Sequence, residues 1–135
     1  RTGFNEYGDL VQHLDKEPWL VQKKRYNLNY KTPKPAIINV LNNFYRYCHE
    51  RGIIVYMTFP PFPRPLKSDS GKKGDEWVKD LQGDLLIPII SNPDNYLFPD
   101  NYFWGHVYHL NAVGRKERTQ ILIEDLKAAI KKNND

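Results

Sequence analysis

Four prolines within residues 60–65 place the strongest local constraint on this chain. A proline has no backbone N–H and a nearly fixed φ, so this segment continues neither a helix nor an interior strand. It directly follows residues 53–59, a run of β-branched and aromatic side chains without polar alternation. Such a run is typical of a strand covered on both faces, as in a parallel sheet between helices. We therefore expect the chain to leave the carboxyl end of a buried strand as a stiff loop.

Three segments are predicted to be helices. In residues 35–51 the apolar side chains recur at helical spacing on one stripe, and Gly52 provides a left-handed stop. A weaker helical pattern covers residues 70–81 and is closed by Gly83. The last helix is expected to begin at Asn111 or Ala112 and to end near Lys131. Its expected inward side chains are Ile121, Leu122, Leu126, Ala129 and Ile130.

The predicted elements alternate between helix and strand, which is typical of the α/β class. Residues 85–90 form the second strand, in which Pro88 indicates a sheet edge or a bulge. Two strands alone rarely make a stable sheet. We expect an irregular N-terminal arm over residues 1–34, with one short turn, and an α/β domain over residues 35–135. The sheet would be completed by strands in the arm, by a partner chain such as a homo-oligomer, or by a missing N-terminal half.

The composition excludes several classes of protein. The 135 residues include 20 Lys and Arg against 16 Asp and Glu, and the excess is spread over several short clusters, so no nucleic-acid partner is expected. No apolar run has the roughly 18 residues of a membrane span. The single cysteine, Cys48, excludes an internal disulfide and a zinc site of several thiolates, and it leaves the compartment open. Arg1 without a leader pattern is expected of a processed or shortened chain.

His109 is the residue most suggestive of chemistry. It stands at the end of the loop over residues 91–109, directly before the last helix. Open α/β sheets place their ligands at such loops, and an imidazole there can act as the general base for a serine nucleophile. Asn111 is predicted to be the N-cap of the helix, accepting a hydrogen bond from the amide of Val113 or Gly114.

Other residues near His109 have two interpretations each. His106 lies three residues away in a loop, and two imidazoles make an incomplete zinc site, so no metal and no cofactor are expected. Trp104 and Tyr108 belong to an aromatic group that forms either a platform for sugar rings or the core under a loop. Its other members are Phe62, Tyr96, Tyr102 and Phe103. Arg64 either pairs with a substrate carboxylate or is a solvated loop cation. The histidines outside this group, His13 and His49, are expected to be ordinary surface or helix-face residues.

Several stretches together resemble the carboxyl-terminal half of SGNH/GDSL-type hydrolases, especially the cell-envelope branch related to acyl-modifying proteins. The order and spacing of these stretches carry the resemblance more than any single motif does. They are Tyr108-His109-Leu110-Asn111, Gly114-Arg115, Arg118-Thr119, residues 122–126, residues 4–9, residues 36–51 leading into residues 58–61, and residues 98–100.

The resemblance implies a partial three-layer α/β/α fold, flavodoxin-like and SGNH-like, with parallel strands and an incomplete sheet. It implies an ester hydrolase or acyltransferase-related protein in the cell envelope that acts on a small-molecule or glycan ester. His109 would be the catalytic base. We predict that Arg64, Trp104, His106 and Tyr108 bind the substrate.

The chain departs from the family pattern at the nucleophile. Family members carry the serine on a Gly-Asp-Ser turn after a strand, whereas this chain has only Ser68, Ser70 and Ser91. Ser70 lies in an Asp-Ser-Gly sequence, but that sequence follows the proline-rich loop, where the backbone needed to expose a nucleophile is missing. We therefore expect the serine to come from residues outside this sequence.

The acid is the second departure. Gly105 or His106 stands where the family has an aspartate, and a histidine base without a carboxylate loses most of its power. Asp94 and Asp100 are the carboxylates near enough in sequence to fold back towards the histidine. We expect this chain alone to be inactive. The alternative is a non-catalytic module with a degenerate SGNH fold that binds a glycan or a protein.

Overall fold

The computed structural model describes residues 3–20, 27–68 and 72–134, so the Asp-Ser-Gly sequence lies outside the described residues. Within this part of the chain no helix is long and apolar enough to cross a membrane. The elements are β1 (Trp19–Leu20), α1 (Pro35–His49), β2 (Phe62–Pro63), α2 (Gly74–Asp84), β3 (Leu97–Phe98), β4 (Trp104–Gly105) and α3 (Ala112–Asn134), with short 3-10 turns at Arg64–Leu66, Pro93–Tyr96 and Asp100–Tyr102.

The strands pair in parallel, as expected, but they are not the segments over residues 53–59 and 85–90 that the sequence predicts as strands. β2 lies within the proline-rich segment, which the sequence predicts to be a loop. β1 pairs with β4, β2 pairs with β3, and a single parallel bridge joins Met57 to Ile89. The arm therefore contributes a strand, because β1 lies within residues 1–34. The described chain is a mixed α/β structure with two small parallel two-stranded sheets.

The predicted strand over residues 53–59 is reduced to its one bridge at Met57, and the expectation that both of its faces are covered is wrong. Ile53 and Ile54 are 51% and 73% exposed. The Met57 amide donates to Pro88 O, and its carbonyl accepts from the Ile90 amide. Because Pro88 has no N–H to donate, the pairing is not extended in the way of a regular ladder.

Two of the three helices end later than predicted. α1 begins at Pro35 and is followed by Gly52 with a φ of +69°, as expected. α2 continues through Gly83 to Asp84, because the Gln82 side chain binds the backbone beyond the helix end, at Leu85, Ile87 and Ile89. α3 continues to Asn134, and Ile130 is 52% exposed, because the end of this helix extends past the core.

The core consists of three groups of buried side chains. One joins α1 to α2 through Ile38 and Leu81. The other two lie under the loop that precedes α3, so Tyr96 and Phe103 are core residues, one of the two roles considered for the aromatic group. The buried members are Ile38, Leu81, Leu85 and Ile87 in the first group, Tyr96, Phe98, Phe103 and Leu110 in the second, and Phe62, Leu97 and Val107 in the third.

The Asp94 carboxylate ties the arm, α2 and the long loop together. It accepts hydrogen bonds from the Tyr30 hydroxyl at 2.8 Å and the Gly74 amide at 2.9 Å, and Lys67 Nζ lies 3.6 Å away. Burial by itself raises the pKa of Asp94, but the two hydrogen bonds and the Lys67 charge outweigh it, so the pKa lies below its ordinary value. The carboxylate is therefore charged at neutral pH and fixes the first turn of α2.

Gly74 is required by this contact, and Gly83 in the same helix is a matched control. A Cβ at Gly74 would lie 2.6 Å from Asn92 Oδ1 and 2.7 Å from Asp94 Oδ2, whereas a Cβ at Gly83 meets nothing within 4 Å. We expect Gly74→Ala to lower the free energy of unfolding by about 1–3 kcal/mol through overpacking. Gly83→Ala should raise it by up to about 1 kcal/mol through helix propensity. Urea denaturation measures both, and equal effects would contradict the proposed role of Asp94.

Candidate functional site

A tight turn after β4 places His109. Gly105 has a φ of +73°, a conformation that glycine adopts without strain. The His109 amide then donates to His106 O at 3.1 Å, and the Trp104 amide donates to His109 O at 2.9 Å. An antiparallel bridge between Phe103 and Leu110 closes the turn. The position of His109 is therefore fixed by backbone hydrogen bonds rather than by a strand end alone.

Asn111 caps α3, as the sequence predicted. Its Oδ1 accepts from the Gly114 amide at 3.0 Å, and its Nδ2 donates to Asn101 O at 3.0 Å. Gly114 allows the helix to approach the loop, because a Cβ there would lie 2.8 Å from Tyr102 Cβ. The first turn of α3 is thus held directly beside His109.

The N-terminal arm packs against the start of α3 and the residue before its N-cap. His13 Nε2 lies 3.2 Å from Leu110 O, and the Ala112 amide donates to Leu14 O at 3.1 Å. These two contacts attach the short turn near His13 to the start of α3. The expected turn in the arm is therefore present. It packs against the end of the loop over residues 91–109, which we call the histidine loop.

Between the arm, the histidine loop and α3 lies an open cavity of about 340 Å³, which we call the histidine cleft. Two arginines and two histidines line it, against one acidic side chain. Pro61, one of its lining residues, lies four residues after Met57, which forms the parallel bridge to Ile89. The lining residues are Asp9, Leu10, His13, Pro61, Tyr108, His109, Leu110, Arg115 and Arg118.

Three imidazole rings gather at this cleft. The ring centroid of His109 lies 5.3 Å from that of His106 and 6.3 Å from that of His13. Although His109 is exposed, part of its ring is withdrawn from water, and this burial lowers its pKa, with smaller contributions from the charges of His106 and His13. His109 is therefore neutral at physiological pH and able to accept a proton.

An aromatic pocket of about 240 Å³ adjoins the histidine cleft and shares Tyr108 with it. Tyr108 is 48% exposed, and its ring centroid lies 5.9 Å from that of Phe62. The pocket offers mostly apolar surface, and Tyr108 connects it to the histidine cleft. Its lining residues are Leu28, Asn29, Tyr30, Lys31, Phe59, Pro60, Phe62, Trp77, Pro93, Leu97 and Tyr108.

The structure brings four of the five predicted site residues together. The His106 ring lies 5.4 Å from the Tyr108 ring and 5.3 Å from the His109 ring, and the Trp104 ring lies 5.9 Å from His13. Arg64 is different, since its Nη2 donates to Leu97 O at 2.9 Å and supports the loop. The roles of all five in binding or catalysis remain predictions.

Sequence reasoning missed His13, Arg115 and Arg118. His13 was expected to be an ordinary histidine, and no spacing relates it to His109 across the intervening chain. The arginines offered a signal, because residues three apart share one face of a helix.

Asp94 and Ser91 form their hydrogen bonds away from the His109 ring. Both oxygens of Asp94 are bound elsewhere, and Ser91 Oγ is buried in hydrogen-bonding distance of Thr58 Oγ1 and the Tyr96 hydroxyl. Residues 3–20, 27–68 and 72–134 contain no group of three or more His, Cys, Asp or Glu placed to hold a metal ion.

No family model, curated protein or solved structure matches this chain.

The lowered pKa of His109 can be measured directly. We expect its ring to titrate below the range of a solvated histidine in NMR spectra, and His106→Asn to raise this pKa, because one repulsive charge is removed while the burial remains. His49→Asn is the control, because the His49 ring contacts Tyr45 on α1 and is not among the groups that shift the pKa of His109. The stability that a neutral His109 contributes should be fully present above its unfolded-state pKa and should be lost as the pH falls through its lowered folded-state pKa. Titration at or above the solvated range would contradict the burial.

Proposed function

We propose that this chain is the carboxyl-terminal portion of an SGNH-like ester hydrolase or acyltransferase-related protein, and that His109 is its general base. The observation that carries the proposal is a neutral, exposed imidazole on the wall of an open cleft, directly before the capped helix α3. The mixed α/β structure with parallel pairing supports a partial three-layer fold of the flavodoxin-like kind. The substrates would be acylated small molecules or acylated glycans.

In this proposal the reaction is acyl transfer through a serine. The serine oxygen attacks the ester carbonyl while its proton passes to the His109 imidazole, which then protonates the departing alcohol. The serine, the acid that orients the imidazole and the donors that stabilise the oxyanion come from residues outside this sequence. His109 contributes the proton transfer, and the surrounding turn contributes its fixed position.

In this proposal the aromatic pocket and the histidine cleft bind different parts of the substrate. The aromatic pocket suits an apolar acyl group, because Phe59, Phe62 and Trp77 line it. Tyr108 borders both cavities, so an ester lying across Tyr108 would have its carbonyl near His109. The exposed Ile53 and Ile54 support the further proposal that strands from a second copy or from the preceding half of the domain complete the sheet.

The polypeptide encoded by the complete reading frame tests the hydrolase. We expect a serine-directed fluorophosphonate to label one serine outside residues 1–135, located by mass spectrometry. His109→Ala should reduce hydrolysis of p-nitrophenyl acetate by at least about 100-fold, as expected for a lost general base. His49→Ala, on α1, should leave the rate unchanged. A frame that yields no labelled serine, or a His109→Ala rate equal to that of the wild type, would overturn the hydrolase.

A non-catalytic binding module is the second candidate. It is favoured by one observation, that the Asp94 carboxylate is bound to Tyr30 and Gly74 while an aromatic pocket shares Tyr108 with the histidine cleft. Aromatic faces bind sugar rings without any chemistry, and an imidazole that lacks an acid still donates and accepts hydrogen bonds. The module would use the aromatic pocket to bind an acylated glycan.

Titration with acetylated oligosaccharides separates the module from the enzyme. A binding module should give saturable binding without release of acetate, and Tyr108→Ala should weaken the affinity about tenfold by removing the ring shared by both cavities. Tyr47→Ala is the control, because Tyr47 is exposed on α1 and contacts Arg51. Acetate release, or equal losses in the two variants, would speak against the module.

A further inference from the structure

We propose that the histidine cleft binds an oxyanionic group of the substrate, a carboxylate or a phosphate, through Arg115 and Arg118 of α3 and His13 of the arm. This inference rests on the proposed function, since it specifies the charge of the molecule that approaches His109. Its basis is the distribution of charge and hydrogen-bond capacity around the cleft.

The cleft has more cationic groups than anionic ones. Arg115 and Arg118 line it on one side, and its one carboxylate, Asp9, accepts a hydrogen bond from Asn5 Nδ2 at 3.0 Å. Within residues 3–20, 27–68 and 72–134, neither arginine forms an ion pair. A small anion that enters the cleft therefore meets two guanidinium groups that have no ionic partner among the described residues.

Two of the three carboxylates of α3 accept hydrogen bonds from tyrosines. Glu117 accepts a hydrogen bond from the Tyr102 hydroxyl at 3.0 Å, and Asp125 accepts one from the Tyr96 hydroxyl at 2.9 Å. These contacts direct the two acidic side chains towards the loop that packs on the helix.

Of the two arginines, Arg118 gives the stronger evidence for an anion site. Its Nε is buried and has no hydrogen-bond partner among the described residues, and its guanidinium carbon lies 5.6 Å from the centroid of the Tyr96 ring. The aromatic face attracts the cation but supplies no acceptor oxygen. Buried donors in proteins are nearly always paired, and a carboxylate or phosphate presents two oxygens that match the guanidinium fork.

His13 adds a further donor or acceptor in the same cleft. Its Nε2 lies 3.2 Å from Leu110 O, which fits an Nε2–H donor and leaves Nδ1 as the acceptor of the neutral ring. Nδ1 is buried and has no partner among the described residues. An imidazole that carries a proton on both nitrogens would donate from Nε2 to Leu110 O and from Nδ1 to a bound oxyanion.

A bound oxyanion should also change the titration of His109. The charged and titratable groups around this ring are Asp9 and His13 on the arm, His106 on the turn, and Arg115 and Arg118 on α3. Four of these five groups disfavour a protonated His109 when they are charged. An anion in the cleft opposes them, so the pKa of His109 should rise on binding.

The experiment is an NMR titration of this chain with inorganic phosphate and with acetate, against sodium chloride at matched ionic strength. We expect saturable shifts at the rings of His13 and His109, and a higher pKa of His109 in the bound state. Arg118→Gln and Arg115→Gln should each raise the dissociation constant about tenfold. Lys116→Gln is the matched control, since Lys116 is exposed on the same helix and does not line the cleft.

The two anions distinguish the source of the charge. Tighter binding of phosphate indicates a phosphorylated substrate, and tighter binding of acetate indicates a carboxylate. Arg118→Lys keeps the charge and loses the fork, so an intermediate dissociation constant is expected. Arg115 is exposed, so its variant should stay folded and tests the inference even if Arg118→Gln does not fold.

Absence of saturable binding, or an equal loss in Lys116→Gln, would overturn the inference. A serine that is labelled in the complete polypeptide together with absent anion binding would overturn this inference alone. Anion binding without a labelled serine would overturn the hydrolase alone.

Discussion

The buried Asn111 side chain connects the pieces of chain from which the histidine cleft is built. Its Oδ1 caps α3, its Nδ2 donates to Asn101 O, and its backbone amide donates to Tyr102 O at 2.8 Å. One residue earlier, Leu110 O receives the contact from His13 on the arm. The arm, the loop and the helix therefore meet within two consecutive residues, and the positions of His109 and Arg115 relative to each other depend on this junction.

Asp94 has the corresponding role at the other end of the loop. Its charged carboxylate binds Tyr30, Gly74 and Lys67, which come from three separate parts of the chain. Hydrogen bonds to a carboxylate stabilise its ionised form and hold their donors at fixed positions. A carboxylate used in this way is not available to orient an imidazole, which is why nearness to His109 in sequence was a poor guide to the acid.

Local sequence signals predicted the helices and the cap but not the sheets or the full cleft. Pro35, Gly52 and Asn111 act through their own backbones or their nearest neighbours in sequence. The helix ends and the cap that they determine can therefore be predicted from the sequence alone. The run over residues 53–59 has the composition of a buried strand, yet strand pairing depends on distant partners, and only Met57 is bridged in the described structure. His13 reaches the cleft through the path of the arm, which no local pattern specifies.

The electrostatics of the cleft connect the two proposals. In a Ser-His-Asp arrangement the carboxylate stabilises the imidazolium that forms when the histidine takes the serine proton. Here the neighbours of His109 have the opposite effect, because burial and two other imidazoles lower its pKa. An oxyanion held between Arg115 and Arg118 would supply negative charge beside the same ring. If the substrate carries that charge, its binding opposes the lowering of the His109 pKa, and the proposed base gains strength only when the correct ligand is present.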